Sequence, residues 1–258
     1  MTWAGKRRLK YFLFLLLILL IILLIIFYPL IFKSPTCSDN KQNGEETGID
    51  CGGSCSLICE TDTKDPVIIW SRAFPINDSS YNLVALVENQ NTDGAIKNIS
   101  YQFKIYNSNN SLIGVETGET FLPANGRYAI FGPRFDTTEL SIRSVTFEFT
   151  SDFVFYKKEN YLDSLPISIN DIVFDTDKDS SKLSAVMKND SIYDLPSFDI
   201  IAIFYDEDGN AINASRTYKN KLVSDSETDL IFTWPIGFTE TPNSYDILPM
   251  INPFDLDF

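Results

Sequence analysis

The pattern of hydrophobic and polar positions divides the chain into three regimes. The first is an uncharged stretch of 22 residues, 11–32, made almost wholly of Leu, Ile and Phe. At 1.5 Å per residue it forms roughly 33 Å of helix, enough to cross the hydrocarbon core of a bilayer. A polar stretch with few large apolar side chains follows. Beyond residue 66 the hydrophobic positions fall in short runs rich in β-branched and aromatic residues, at 81–88, 99–106, 112–117, 128–131 and 142–150, then at 183–188, 198–205, 211–218 and 228–234. Tyr101-Gln102-Phe103-Lys104-Ile105 alternates with the period of a strand that buries one face. Asn, Asp, Gly and Pro fill the gaps, and Asp206-Glu207-Asp208-Gly209 reads as a hairpin turn. The pattern predicts one transmembrane helix and, after it, strands alone.

The strand pattern recurs about one hundred positions later. Leu83, Ala85, Val87 and Asn89 are matched by Leu183, Ala185, Met187 and Asn189, and Ile69 and Phe74 by Ile169 and Phe174. A one-residue slip relates Ile105-Tyr106 to Phe204-Tyr205, after which Leu122 and Ile130 correspond to Leu222 and Leu230. That period suits a complete β-sandwich and is too long for a solenoid repeat. The expected fold class is therefore all-β, with two tandem immunoglobulin-like β-sandwiches at 66–150 and 166–258, carried as beads on a stalk. Residues 151–166 mix Phe153, Phe155 and Tyr156 with Lys157 and Lys158, too apolar for a free linker, and read as a packed joint. The tail, 248–258, alternates apolar and acidic residues; it reads as a seal on the outer sandwich, with a partner-recognition tail as the alternative.

Charge places the parts. Lys6, Arg7, Arg8 and Lys10 precede the apolar stretch and only Lys33 closely follows it, so the positive-inside rule puts a basic tail, 1–10, in the cytoplasm and everything past residue 33 outside. Tyr28-Pro29-Leu30-Ile31-Phe32 offers no small-x-small cleavage site, so an uncleaved single-pass anchor in the cell membrane is expected rather than a signal peptide. The formal net charge of −14 argues against nucleic acid or anionic lipid as a partner.

Cys37, Cys51, Cys55 and Cys59 lie within 23 residues. Just outside a membrane, an even and clustered set reads as two disulfides, with three pairings open. A four-thiolate zinc site would show paired C-x2-C spacing, whereas the intervals here are 13, 3 and 3 residues. Residues 35–59 hold too few apolar side chains for a core, so cross-links must stand in for one. With Glu46-Thr47-Gly48-Ile49-Asp50-Cys51-Gly52-Gly53-Ser54-Cys55 at its centre, the segment resembles a short cysteine-rich module of exported bacterial proteins, C-x-D-G-x-x-N-x-x-E-T-G-x-D-C-G-G-x-C-x-x-C. It departs from that pattern at Asn40, where glycine is usual, and in the three residues between the last cysteines. Asp39, Glu45, Glu46 and Asp50, with Asn40 and Asn43 nearby, supply the hard oxygen ligands that calcium prefers and are candidate calcium ligands. The competing reading is of carboxylates that solvate a disulfide knot. Asp175-Thr176-Asp177-Lys178-Asp179 opens like a calcium loop, but Ser180 replaces the required glycine and Val186 stands where a bidentate glutamate belongs, so it reads as a solvated turn, with a weak calcium site as the alternative.

Phe103-Lys104-Ile105-Tyr106-Asn107 followed by Leu122-Pro123-Ala124-Asn125-Gly126 resembles the FxLYD-type immunoglobulin-like sandwich of bacterial envelope proteins. Ala202-Ile203-Phe204-Tyr205-Asp206 carries the resemblance in the second copy, where Ala202 lacks the leading aromatic and Leu222-Val223-Ser224-Asp225-Ser226 lacks the Pro and Gly. The resemblance implies a sandwich fold and an extracytoplasmic habit, with no enzymatic activity attached.

The chain contains no histidine, which removes Ser-His-Asp and Cys-His catalysis and histidine-ligated zinc. A pair of carboxylates across a cleft remains chemically sufficient for glycoside hydrolysis. The expectation is a non-catalytic, membrane-anchored binding, scaffold or adhesion protein of the cell envelope, without a cofactor unless calcium binds. Its expected partner is an envelope protein or a surface glycan. The alternative is an acidic-residue enzyme, or an enzyme accessory, acting on glycans. The 20 Phe and 12 Tyr are expected to fill the cores, leaving Trp70 and Trp234 as candidates for an exposed aromatic binding platform.

Overall fold

The computed structural model describes residues 3–31, 34–138, 142–158, 165–176, 180–235, 237–238 and 242–256. The chain divides into two compact units, Met1–Cys55 and Ser56–Phe258.

The first unit begins with helix α1, Trp3–Ile31. Within it Arg7–Tyr28 is long and apolar enough to cross a membrane, and none of that window is buried against protein. A helix that is hydrophobic all round needs an apolar surrounding on every side. Length and composition of this kind are shared by a membrane anchor and a signal sequence. Phe32 and Lys33, at the end of the expected span, lie outside the described residues. The rest of the unit is turns, with an isolated bridge between Gly48 and Cys51.

The second unit is built from strands. β1 (Val67–Asn77), β2 (Ser80–Asn89) and β5 (Gly126–Phe131) form one sheet in the order β1-β2-β5, with the short β6 (Phe135–Asp136) also on β2. β3 (Gly94–Asn107), β4 (Leu112–Leu122) and β7 (Ile142–Phe149) form the facing sheet in the order β4-β3-β7, with β8 (Phe155–Lys157) also on β3. Then β9 (Ile167–Thr176), β10 (Ser181–Asn189) and β13 (Ser226–Trp234) pair as β9-β10-β13, and β11 (Phe198–Tyr205), β12 (Ala211–Lys219) and β14 (Ser244–Met250) as β12-β11-β14. The pairing plan is the same in both halves: two β-sandwiches. Leu83, Ala85 and Val87 on β2, and Leu183, Ala185 and Met187 on β10, are all buried, as their matched positions predict. The hairpin turn is present too. Asp206 Oδ1 accepts the Asp208 and Asn210 backbone N–H groups, and Gly209 takes φ +79° where a side chain would be strained.

β2 and β11 depart furthest from the one-face rule. β2 is buried without interruption from Leu83 to Val87, and β11 from Ile200 to Phe204. A strand buried on both sides reads as a continuous hydrophobic run, and here each has a second face to cover. Sheet β1-β2-β5 packs its outer face on the outer face of sheet β12-β11-β14. Ile201, Ile203, Ala214 and Met250 of the second sandwich join the hydrophobic core of the first. Arg72 Nη1 donates to the Ala211 carbonyl at 2.6 Å, and Asn82 Nδ2 to the Ala214 carbonyl at 3.4 Å. Burying one such aliphatic side chain contributes about 1.5–3 kcal/mol.

This packing corrects the expectation of separate beads joined through residues 151–166. The joint is made by sheet faces, and both sandwiches belong to one compact unit. Residues 155–157 instead extend the first sandwich as β8, with Phe155 in its core. Residues 159–164 lie outside the described residues. The tail closes the second sandwich, with Ile251 and Leu256 buried in its core.

Candidate functional site

The cysteine module is held by covalent and polar ties rather than by a core. Cys37 is bonded to Cys55, with their Cα atoms 5.7 Å apart. Cys51 and Cys59 are disulfide-bonded as well, and no cysteine is free. Asp50 is the hub of the loop: its Oδ1 accepts the Asp39 N–H at 2.9 Å, and its Oδ2 the Asn40 N–H at 2.9 Å. Asp39 accepts from the Lys41 N–H and from the Asn43 side-chain amide, and Glu46 Oε2 from the Asn43 N–H. Glu45 is exposed, and its backbone carbonyl presses on Gly53. Three of the four candidate calcium ligands thus act as acceptors for loop N–H groups. Among the described residues, the group with metal-like spacing is instead Cys37, Glu46 and Cys55. Two of its members are the sulfurs of one disulfide, so no thiolate is on offer there. Of the calcium-like run, residues 177–179 lie outside the described residues.

The tryptophans separate. Trp70 on β1 is half-buried, edge-on to Phe74 at 6.3 Å, and sits beside the first core. Trp234 at the end of β13 is 3% exposed and packs edge-on to Phe204 at 5.0 Å. Its indole therefore fills the second core, and it is withdrawn as a surface platform residue. The size of the ring suits either role, and only the register of β13 decides which face it takes.

Away from every candidate residue named above, a further feature lies where the two packed sheets diverge. There they line a cleft of about 420 Å³ together with β4 and Tyr101 of β3. Tyr101, Phe121 and Phe131 line it from the first sandwich; Asp199, Arg216 and Tyr218 line it from the second. Residues directly opposite in an antiparallel pair share a face. Asp199 is paired with Tyr218, and Ile201 with Arg216, so all four project from the side of the sheet that meets the first sandwich. The Arg216 guanidinium lies over the Phe131 ring, 4.9 Å from its centroid, and its Nη1 is 3.4 Å from Asp199 Oδ2. Tyr218 is 57% exposed, whereas Tyr101 is 5% exposed. The Tyr101 hydroxyl sits over Gly118, where a Cβ would stand 2.4 Å from the oxygen. Burial raises the pKa of this hydroxyl, and the nearby Arg216 charge offsets part of the effect. The sequence signal for the cleft was the unbroken apolar run of β11, which announces a second buried face without naming what covers it.

Among the described residues, the carboxylates with displaced pKa values are pushed down, each by a local partner. Asp136 is held low by the Ser80 hydroxyl and Arg134, Glu148 by Lys104 and Gln102, Asp194 by Lys221 and the Ser224 backbone, and Asp206 by Asn210.

No protein-family model and no curated protein matches this chain. Among solved structures it is similar to a red sea bream transglutaminase, at 9% identity over 73% of this chain and 31% of that one, with a TM-score of 0.25. It is also similar to a beta-glucuronidase from glycoside hydrolase family 2, at 9% identity over 87% and 28% of the chains and a TM-score of 0.25. Dimeric latent PorU from Porphyromonas gingivalis matches at 13% identity over 78% and 21%, with a TM-score of 0.21. The chain spans less than a third of the length of each of these proteins, and similarities at this level carry no functional argument.

Proposed function

We propose that this chain is a membrane-anchored, extracytoplasmic binding and scaffold protein of the cell envelope with no catalysis of its own. The observation that carries the reading is the order of its parts. An apolar helix comes first, then a module in which every cysteine is disulfide-bonded, then two sandwiches packed into one compact unit. Disulfides persist in oxidising compartments, which supports an exported position for residues beyond 33. The basic residues before the helix support a cytoplasmic N-terminus. The shared pairing plan supports tandem copies of one domain, and the resemblance to FxLYD-type sandwiches points the same way. A general acid at neutral pH needs a raised carboxylate pKa, whereas the displaced carboxylates here are lowered by structural hydrogen bonds.

Protease added to intact spheroplasts is expected to digest the chain beyond residue 33 while an N-terminal tag stays protected. Crosslinking of intact cells is expected to yield adducts with other envelope components. Protection of both ends, a mature chain that starts after residue 33, or no adducts under conditions that capture known envelope complexes would each count against the proposal. Glycan turnover by the full chain, lost on replacing a carboxylate, would favour the enzymatic alternative.

A further inference from the structure

The geometry points to the cleft between the two sandwiches as a binding site for a neutral glycan unit, one or two sugar rings in size. This deepens the binding reading and rests on it. A volume of about 420 Å³ falls in the range of small-ligand sites, which gather at the junctions of packed domains. The lining combines aromatic surface with a few convergent polar groups, the makeup of a site that must hold a ligand both by its apolar face and by its hydroxyls.

Charge selects the ligand class. The cleft presents one guanidinium, Arg216, against three carboxylates, Glu119, Asp199 and Asp255, so an anion is disfavoured. A cation gains little either, because each carboxylate is already engaged: Asp199 with Arg216, Glu119 with the Asn98 amide and Asp255 with the Asn252 amide. Side by side, Arg216 and Asp199 offer a donor and an acceptor at once. Vicinal hydroxyls of a sugar match that pair, one accepting from the guanidinium and the other donating to the carboxylate. Tyr101 supplies a further polar group to the lining. Tyr218, more than half exposed at the mouth, provides a ring that the C–H face of a sugar can cover.

The test uses the full chain in a zwitterionic detergent, since detergents with sugar headgroups would compete for the cleft. Cellobiose, maltose and N,N′-diacetylchitobiose are the neutral probes, with digalacturonic acid and chitosan disaccharide as anionic and cationic controls. Binding is read by saturation-transfer NMR and titration calorimetry. At least one neutral probe is expected to bind, and Tyr218→Ala and Arg216→Gln are each expected to weaken it at least tenfold. Ile231→Ala, on the sheet that faces away from the cleft, is expected to leave the affinity unchanged. Near-ultraviolet circular dichroism checks the fold of each variant. If Arg216→Gln does not fold, the exposed Tyr218→Ala decides. Failure of every neutral probe to bind the folded chain, preference for a charged control, or wild-type affinity in the folded variants overturns the inference. A chain that forms envelope adducts but binds no neutral probe overturns this inference alone. A chain that fails the protease test but binds glycans in detergent overturns the topology alone.

Discussion

Asn89 and Asn189 occupy equivalent stations in the two sandwiches, each closing its second strand with a fully buried side chain. Asn89 Nδ2 donates to the carbonyls of Gly94 and Pro123, at 2.7 and 2.8 Å, while its Oδ1 accepts from the Asn91 N–H. Asn189 Nδ2 donates to the carbonyls of Tyr193 and Leu222, at 2.8 and 3.3 Å, while its Oδ1 accepts from the Ser191 N–H. One amide thus ties two loops at the end of each sandwich, where strand pairing has stopped and the backbone still needs partners.

Replacing either asparagine by alanine strands buried carbonyls. Each of Asn89→Ala and Asn189→Ala is expected to cost about 1–3 kcal/mol. The two costs are expected to add, because the sites lie in different sandwiches and share no partner. Urea unfolding of the full chain in detergent checks both; wild-type midpoints for either variant would show that the loops do not depend on the amide.

The shared face between sandwiches is expected to make residues 56–258 unfold as one cooperative body. Ile203 on β11 is fully buried in the core that spans the joint. Ile203→Ala is expected to cost about 2–5 kcal/mol. Ile203→Asp places an unpaired charge there and is expected to split a single calorimetric transition into two. Two transitions already present in the wild type would show that the sandwiches unfold independently.

The cysteine module is expected to tolerate no side chain at Gly53. Its φ is +54°, and a Cβ would stand 1.6 Å from the Glu45 carbonyl oxygen. Gly53→Ala is expected to leave alkylatable thiols in the purified protein, read by mass spectrometry, while the β-rich circular dichroism of the sandwiches persists. Reduction of the wild type is expected to loosen the module in the same selective way, since closing a 15-residue loop contributes about 3 kcal/mol in the chain-entropy account. Loss of sandwich signal on reduction would refute that independence.

The pH profile is expected to be flat between about 5.5 and 7, because the chain has no histidine to titrate there. Asp136, Glu148, Asp194 and Asp206 have folded pKa values below their ordinary ones. Their stabilising contribution is complete above the unfolded carboxylate range near 4 and is lost as pH falls through the lowered folded values. Stability should therefore decline only below about pH 4, and Asp136→Asn should reduce the acid-side slope. A midpoint that moves between pH 5.5 and 7 would show that another group titrates.

The strands were legible to within a few residues. Tyr101 to Ile105 alternates, and β11 begins and ends where its apolar run does, because side-chain period and turn chemistry are local properties of the chain. The first extension of β3, residues 94–98, was not legible, since Lys97 and Asn98 interrupt the pattern and the strand is held by pairing to β8 and β4. Among candidate site residues, Asp39, Glu46 and Asp50 were recognisable as a cluster, but their engagement with loop N–H groups depends on how the disulfides fold the segment.

The sequence by itself determined that the chain has an apolar helix, a cross-linked module and two sets of strands in the same order, since each follows from spacing along the backbone. Tertiary structure alone decided that β2 and β11 turn their second faces to one another. It also decided that Trp234 is core and that Arg216, Asp199, Tyr101 and Tyr218 meet around a cleft. These outcomes depend on which residues share a face across strands more than 100 positions apart, a relation set by register and packing that no local pattern carries.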